Sequence, residues 1–90
     1  MTNKTVIENK VAELGLVLGS YDNDLERLSK KAINEVAESL FGDSTDIVVK
    51  VRGTYYVVEC AVCDNECDFT LYTKHEYLDK YGDEYEYKFE

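Results

Sequence analysis

Ninety residues with 19 acids, 10 bases and a net charge of -9 make a chain of one small domain, and the acid excess speaks against direct DNA or RNA binding. An apolar content of 44% with eight tyrosines and three phenylalanines excludes a disordered chain. The longest apolar stretch, Val11 to Gly19, is broken by Glu13 and falls short of the ~20 residues of a membrane span, so no membrane partner is expected.

Glu8 and Glu13 also interrupt any secretory leader, and three cysteines do not pair into a disulfide framework. A cytoplasmic location is therefore expected. Proline is absent, and neither a repeat nor a Gly/Ser linker divides the chain, so residues 1–90 are expected to form a single acidic α+β domain.

The first segment, Thr5 to Leu18, spaces Ile7, Val11, Leu14 and Leu18 as one face of a helix, with Gly19 as its stop and Gly15 as its weak point. A second helix is expected from the spacing of Asn23 and Glu26, which fits a capping box, and of Leu25, Leu28, Ala32, Val36 and Leu40, which share a face. Gly42 ends it, and Lys30 and Lys31 fall on the solvated side.

From Asp46 the period becomes two, with Ile47, Val49 and Val51 on one face. A two-residue turn at Arg52 and Gly53 then sets Val49 opposite Tyr56 and Ile47 opposite Val58. A second turn at Asp64 and Asn65 sets Val62 opposite Cys67, Cys60 opposite Phe69 and Val58 opposite Leu71. Thr73 and Glu76 open a short helix with a capping box, and Gly82 closes it. The tail, Glu84 to Glu90, alternates aromatic and mostly acidic residues and reads as a last strand. The expected fold is α+β: two N-terminal helices on one face of an antiparallel meander of about four strands, with a short helix before the last strand.

Cys60, Cys63, Cys67 and His75 are ligand types for zinc, and a cysteine with His75 is a possible nucleophile and base. Strand parity turns Cys60 and Cys67 inward and Cys63 outward, so four ligands do not converge, and a buried thiol is the plainer reading. Asp64, Glu66 and Asp68 alternate as in a calcium loop, but Phe69 and His75 stand where that loop needs glycine and a carboxylate. The Asp22, Asn23 and Asp24 cluster fails likewise. No Gly-rich phosphate loop occurs. Neither cofactor, metal nor catalytic residue is expected, and the chain is expected not to be an enzyme.

Charge is unevenly placed. Residues 1–58 hold nine acids and seven bases, whereas residues 59–90 hold ten acids and three bases. The acids of the last third stand among Tyr72, Tyr77, Tyr81, Tyr85 and Tyr87, and tyrosine is enriched in binding surfaces. A solubilising surface is the plain account of such acids. The functional account is a row of carboxylates imitating a nucleic-acid backbone, Glu84 and Glu86 lying about 6.8 Å apart on a strand.

On that account the chain is a phage or mobile-element inhibitor that occupies the basic groove of a host enzyme acting on DNA or RNA. The contact residues expected are Asp64, Glu66, Asp68, Asp79, Tyr81, Asp83, Glu84, Tyr85, Glu86 and Tyr87. Two alternatives belong to other classes: an immunity or antitoxin-type partner of a basic toxin, and a small thiol or zinc protein using Cys60, Cys63, Cys67 and His75. The chain is expected to act as a monomer or a homodimer, a tail strand offering an edge for self-pairing that its charges oppose. In size, charge and helix-helix-sheet order it resembles uracil-DNA glycosylase inhibitors, and in size and charge alone acidic anti-CRISPR proteins. These are likenesses of architecture and composition, with no shared motif.

Overall fold

The computed structural model describes residues 2–40 and 45–89. Chain order is α1 (Asn3–Glu13), β1 (Val17–Tyr21), a 3-10 helix (Asn23–Arg27), α2 (Lys30–Ser39), β2 (Asp46–Val51), β3 (Thr54–Cys63), β4 (Glu66–Thr73), α3 (Lys74–Tyr81) and a second 3-10 helix (Asp83–Phe89). The class is α+β. The strands lie in the order β1-β4-β3-β2, and β1 runs parallel to β4, so the sheet is mixed rather than an antiparallel meander throughout.

α1 is shorter than its apolar spacing suggests. Gly15 sits at φ +75°, a left-handed conformation that ends the helix, and the chain leaves as an extended strand instead of continuing to Leu18. The expected stop, Gly19, lies inside β1. At the other end, Thr2 accepts from the Thr5 N–H, and the Glu26 carboxylate accepts from the N–H groups of Asn3 at 3.0 Å and Lys4 at 2.9 Å. Glu26 thus caps α1 from a distant segment rather than its own, which replaces the expected Asn23–Glu26 capping box.

The expected second helix is two pieces. Asp22 caps the 3-10 helix, Leu28 is extended at ψ 150°, and Ser29 opens α2 by accepting from the Ala32 N–H. Asn3, buried, donates from its side-chain amide to the carbonyls of Leu25 and Leu28, both at 2.9 Å, and so satisfies the backbone where the helix is broken. Leu40 caps α2, and the expected stop at Gly42 lies outside the described residues.

Both hairpins follow the expected register. Arg52 and Gly53 both take positive φ, as do Asp64 and Asn65, the condition for the two-residue turns that match strand twist. Val49 faces Tyr56, Ile47 faces Val58, and Val62, Cys60 and Val58 face Cys67, Phe69 and Leu71.

The fold has three layers, with helices on both faces of the sheet rather than one. α1, the first 3-10 helix and α2 bury Ile7, Val11, Leu25, Ile33 and Val36 against Ile47, Val49, Val58, Cys60, Cys67 and Phe69 on the inner sheet face. The outer face, which alternation assigned to solvent, carries a second core of Val57, Tyr77 and Phe89 with Val48, Tyr55 and Tyr72 around it. α3 and the final 3-10 helix supply its cover. The tail is therefore not a strand: Tyr85 and Phe89 turn inward while Tyr87 is 62% exposed. Glu90, the last residue of the expected strand, lies outside the described residues.

Candidate functional site

Alternation along β3 and β4 places Glu59, Ala61 and Cys63 on the outer face, opposite Thr70, Asp68 and Glu66. β1 adds Val17 beside Glu66. The capped half of this face ends at Tyr81, whose hydroxyl donates to Glu59. Beyond Glu59 about 13 Å of strand, at ~3.3 Å per residue, runs uncovered to Cys63 and the Asp64–Asn65 turn.

The structure gathers Asp64, Glu66 and Asp68 at this open end, but gives them different work. Asp64 and Glu66 are exposed. Asp68 is half-buried, and its Oδ1 accepts the Ser20 N–H at 2.6 Å across the irregular pairing between Leu18 and Tyr21. That carboxylate lies directly over Gly19, where no Cβ fits, with the Glu66 Oε2 also close at 3.4 Å from a Cβ built there. Asp68 thus holds an edge strand to the sheet.

The second expected group sits on α3 and the final 3-10 helix. Asp79, Asp83 and Glu84 are exposed. Glu86 pairs with Lys74 at 3.7 Å. Glu84 and Glu86 do not form a row 6.8 Å apart, because a helix of three residues per turn points residues two apart in different directions. Tyr85 packs on Tyr77 with ring centroids 6.4 Å apart, Tyr81 borders the open ledge, and Tyr87 projects into solvent.

The three lysines of the last third are folded back onto the chain itself. Lys74 lies over the Phe89 ring at 5.4 Å, and Lys80 over Tyr72 at 5.0 Å. Lys88 reaches the Tyr77 hydroxyl at 3.1 Å and Asp46 at 3.7 Å. The Tyr72 hydroxyl raises the pKa of the exposed Lys80, and the Tyr77 hydroxyl that of Lys88. Burial raises Tyr77, and the hydrogen bond to Glu59 raises Tyr81. Among the described residues no salt bridge reaches Asp64, Glu66, Asp68, Asp79, Asp83 or Glu84. Cations are instead found at the opposite end of β3, roughly 30 Å from the acidic turn, where Arg27, Lys31 and Arg52 line two adjoining clefts.

Cys60 and Cys67 point into the core with Sγ atoms 3.1 Å apart, Cys63 is exposed on the outer face, and His75 is exposed in the first turn of α3. Burial, then the Cys67 thiol, pushes Cys60 up to about 12, so its thiolate is scarce near neutral pH and the thiol reacts slowly. Among the described residues no three His, Cys, Asp or Glu side chains are placed to hold a metal ion. No helix among them is long and apolar enough to cross a membrane.

Sequence reasoning missed Glu59, although its parity with Cys63 and its place opposite Thr70 follow from the same register that located Glu66. It also missed Val17, 62% exposed beside Glu66, because β1 was read as helix. Compared with known proteins, the chain matches no family model, no curated protein and no solved structure.

Proposed function

We propose that the chain is a non-catalytic binding protein that docks its acidic outer face on a basic surface of another protein. The observation that carries this reading is an asymmetry of pairing. The lysines of the last third are spent on the chain's own rings and carboxylates, whereas Asp64, Glu66, Asp79, Asp83 and Glu84 have no ion pair among the described residues. A mixed surface would suffice for solubility. A face on which unpaired carboxylates outnumber cations complements a cleft that grips phosphates, and the cleft of a nucleic-acid-processing enzyme is the partner chemistry it fits best.

The uncovered ledge between Tyr81 and the Asp64–Asn65 turn adds apolar contact through Val17 and Ala61. The molecule is polar end to end, so a partner's field can orient it during approach. Glu66→Lys combined with Asp79→Lys reverses two unpaired carboxylates while leaving the Asp68 anchor and the positive-φ Asp64–Asn65 turn untouched. The double variant is expected to keep the far-UV spectrum and the melting temperature while losing salt-sensitive capture of its partner. Capture equal to that of the unaltered chain removes the assignment. Competition by DNA separates a groove-filling inhibitor from an immunity-type cap at a remote site: only the former is displaced.

A further inference from the structure

The geometry points to Cys60 and Cys67 as an oxidation site, a pair of thiols that close into a cross-strand disulfide within the native fold. The two lie on neighbouring strands as diagonal neighbours, since Cys60 faces Phe69 and Cys67 faces Val62. Their Sγ atoms are 3.1 Å apart, nearer than the ~3.5–4.0 Å at which packed core carbons rest. A disulfide needs ~2.05 Å, so the sulfurs must close by about 1 Å, and because diagonal neighbours have Cα atoms ~7–8 Å apart the two strands draw together locally as the bond forms. Neither thiol has another sulfur to choose: Cys63 is on the same strand as Cys60 but on the other face of the sheet.

The pair also sits where oxidant can arrive. Cys60 is 7% exposed against 1% for Cys67, and Val62 beyond it is 58% exposed, so this is the thin end of the core. Hydrogen peroxide takes the electron pair of the Cys60 sulfur, leaving a sulfenic acid and one water. The Cys67 sulfur then attacks that sulfenic sulfur, forming the S–S bond and expelling the second water. Two thiols have lost two hydrogens to one peroxide. The burial that raises the Cys60 pKa makes the reaction slower than oxidation of the exposed Cys63. The bond closes a short ring around the Asp64–Asn65 turn and so tethers the open end of the β3–β4 hairpin.

The test uses the full chain and a Cys63→Ser variant, which removes the fast competing thiol. After peroxide, intact mass of Cys63→Ser is expected to fall by two hydrogens, peptide mapping to join Cys60 to Cys67, and the melting temperature to rise on the order of 10 °C. Dithiothreitol reverses all three. Cys63→Ser with Cys67→Ala, which keeps a small apolar residue in the core, shows neither the mass change nor the rise. The proposal is overturned if the bond forms only in urea-unfolded chain, if it lowers the melting temperature, or if Cys60 and Cys67 remain thiols throughout prolonged exposure of the folded protein.

Discussion

Gly19→Ala offers the sharpest check on how β1 is held. A methyl there overlaps the Asp68 Oδ1, which cannot withdraw without giving up the Ser20 N–H at 2.6 Å. Losing a hydrogen bond to a charged group costs ~1.5–3 kcal/mol, so Gly19→Ala is expected to destabilise by about 2 kcal/mol. For a domain of this size that lowers the melting temperature by roughly 8–16 °C. Asp68→Ala alone loses the same bond and is expected to cost about as much, ~2 kcal/mol. In the double variant the methyl meets no carboxylate, so the loss stays near that of Asp68→Ala rather than the sum. Urea denaturation of the four proteins completes the cycle. Gly15→Ala is the control: its left-handed φ costs ~1–2 kcal/mol, nothing lies within 4 Å of the added atom, and its effect adds to that of Asp68→Ala. Additive losses for Gly19→Ala and Asp68→Ala, within ~0.5 kcal/mol, would refute the clamp.

Two further outcomes follow from buried polar groups. Asn3→Ala strands the carbonyls of Leu25 and Leu28 and is expected to cost about 2–3 kcal/mol, lowering the urea midpoint with an unchanged slope; a loss under ~0.5 kcal/mol contradicts the bridging role. Burial raises the hydroxyl pKa of Tyr21, aided by Glu26, and that of Tyr77. Below pH ~10 folded and unfolded chains hold these protons alike, and above it the unfolded chain releases them first. Stability is therefore full below pH ~10 and falls as pH rises toward the native values, with late tyrosinate absorbance from these two residues; an unchanged urea midpoint across that window contradicts it.

The parts of the fold legible in the sequence are those specified locally. The Arg52–Gly53 and Asp64–Asn65 turns take their conformation from adjacent residues, and parity then carries the register along β3 in both directions. β1 is different. Leu14 and Leu18 keep the helical step, and what makes Val17–Tyr21 a strand is a partner near residue 66, which no local pattern reports. Gly15 was the one local sign of the break. The tail misleads for another reason: aromatics at 85, 87 and 89 suit a strand, yet from a 3-10 helix Tyr85 and Phe89 both reach the outer-face core of Tyr55, Val57 and Tyr77, a surface no local pattern reports. Of the expected contact residues, Asp64 and Glu66 came together because a turn placed them, while Asp68 and Glu86 proved to hold elements of the chain together.

The parallel pairing of Val17 with Glu66 also bears on how the chain is made. A ribosome releases α1 and β1 first, long before β4 exists to receive them. Until Phe69 and its neighbours emerge, the core that includes Ile7 and Val11 lacks the inner-face side chains of β4. The native core cannot assemble before β4 has left the exit tunnel, and until then the nascent segment ahead of it must stay soluble through its own charges or in the care of a chaperone.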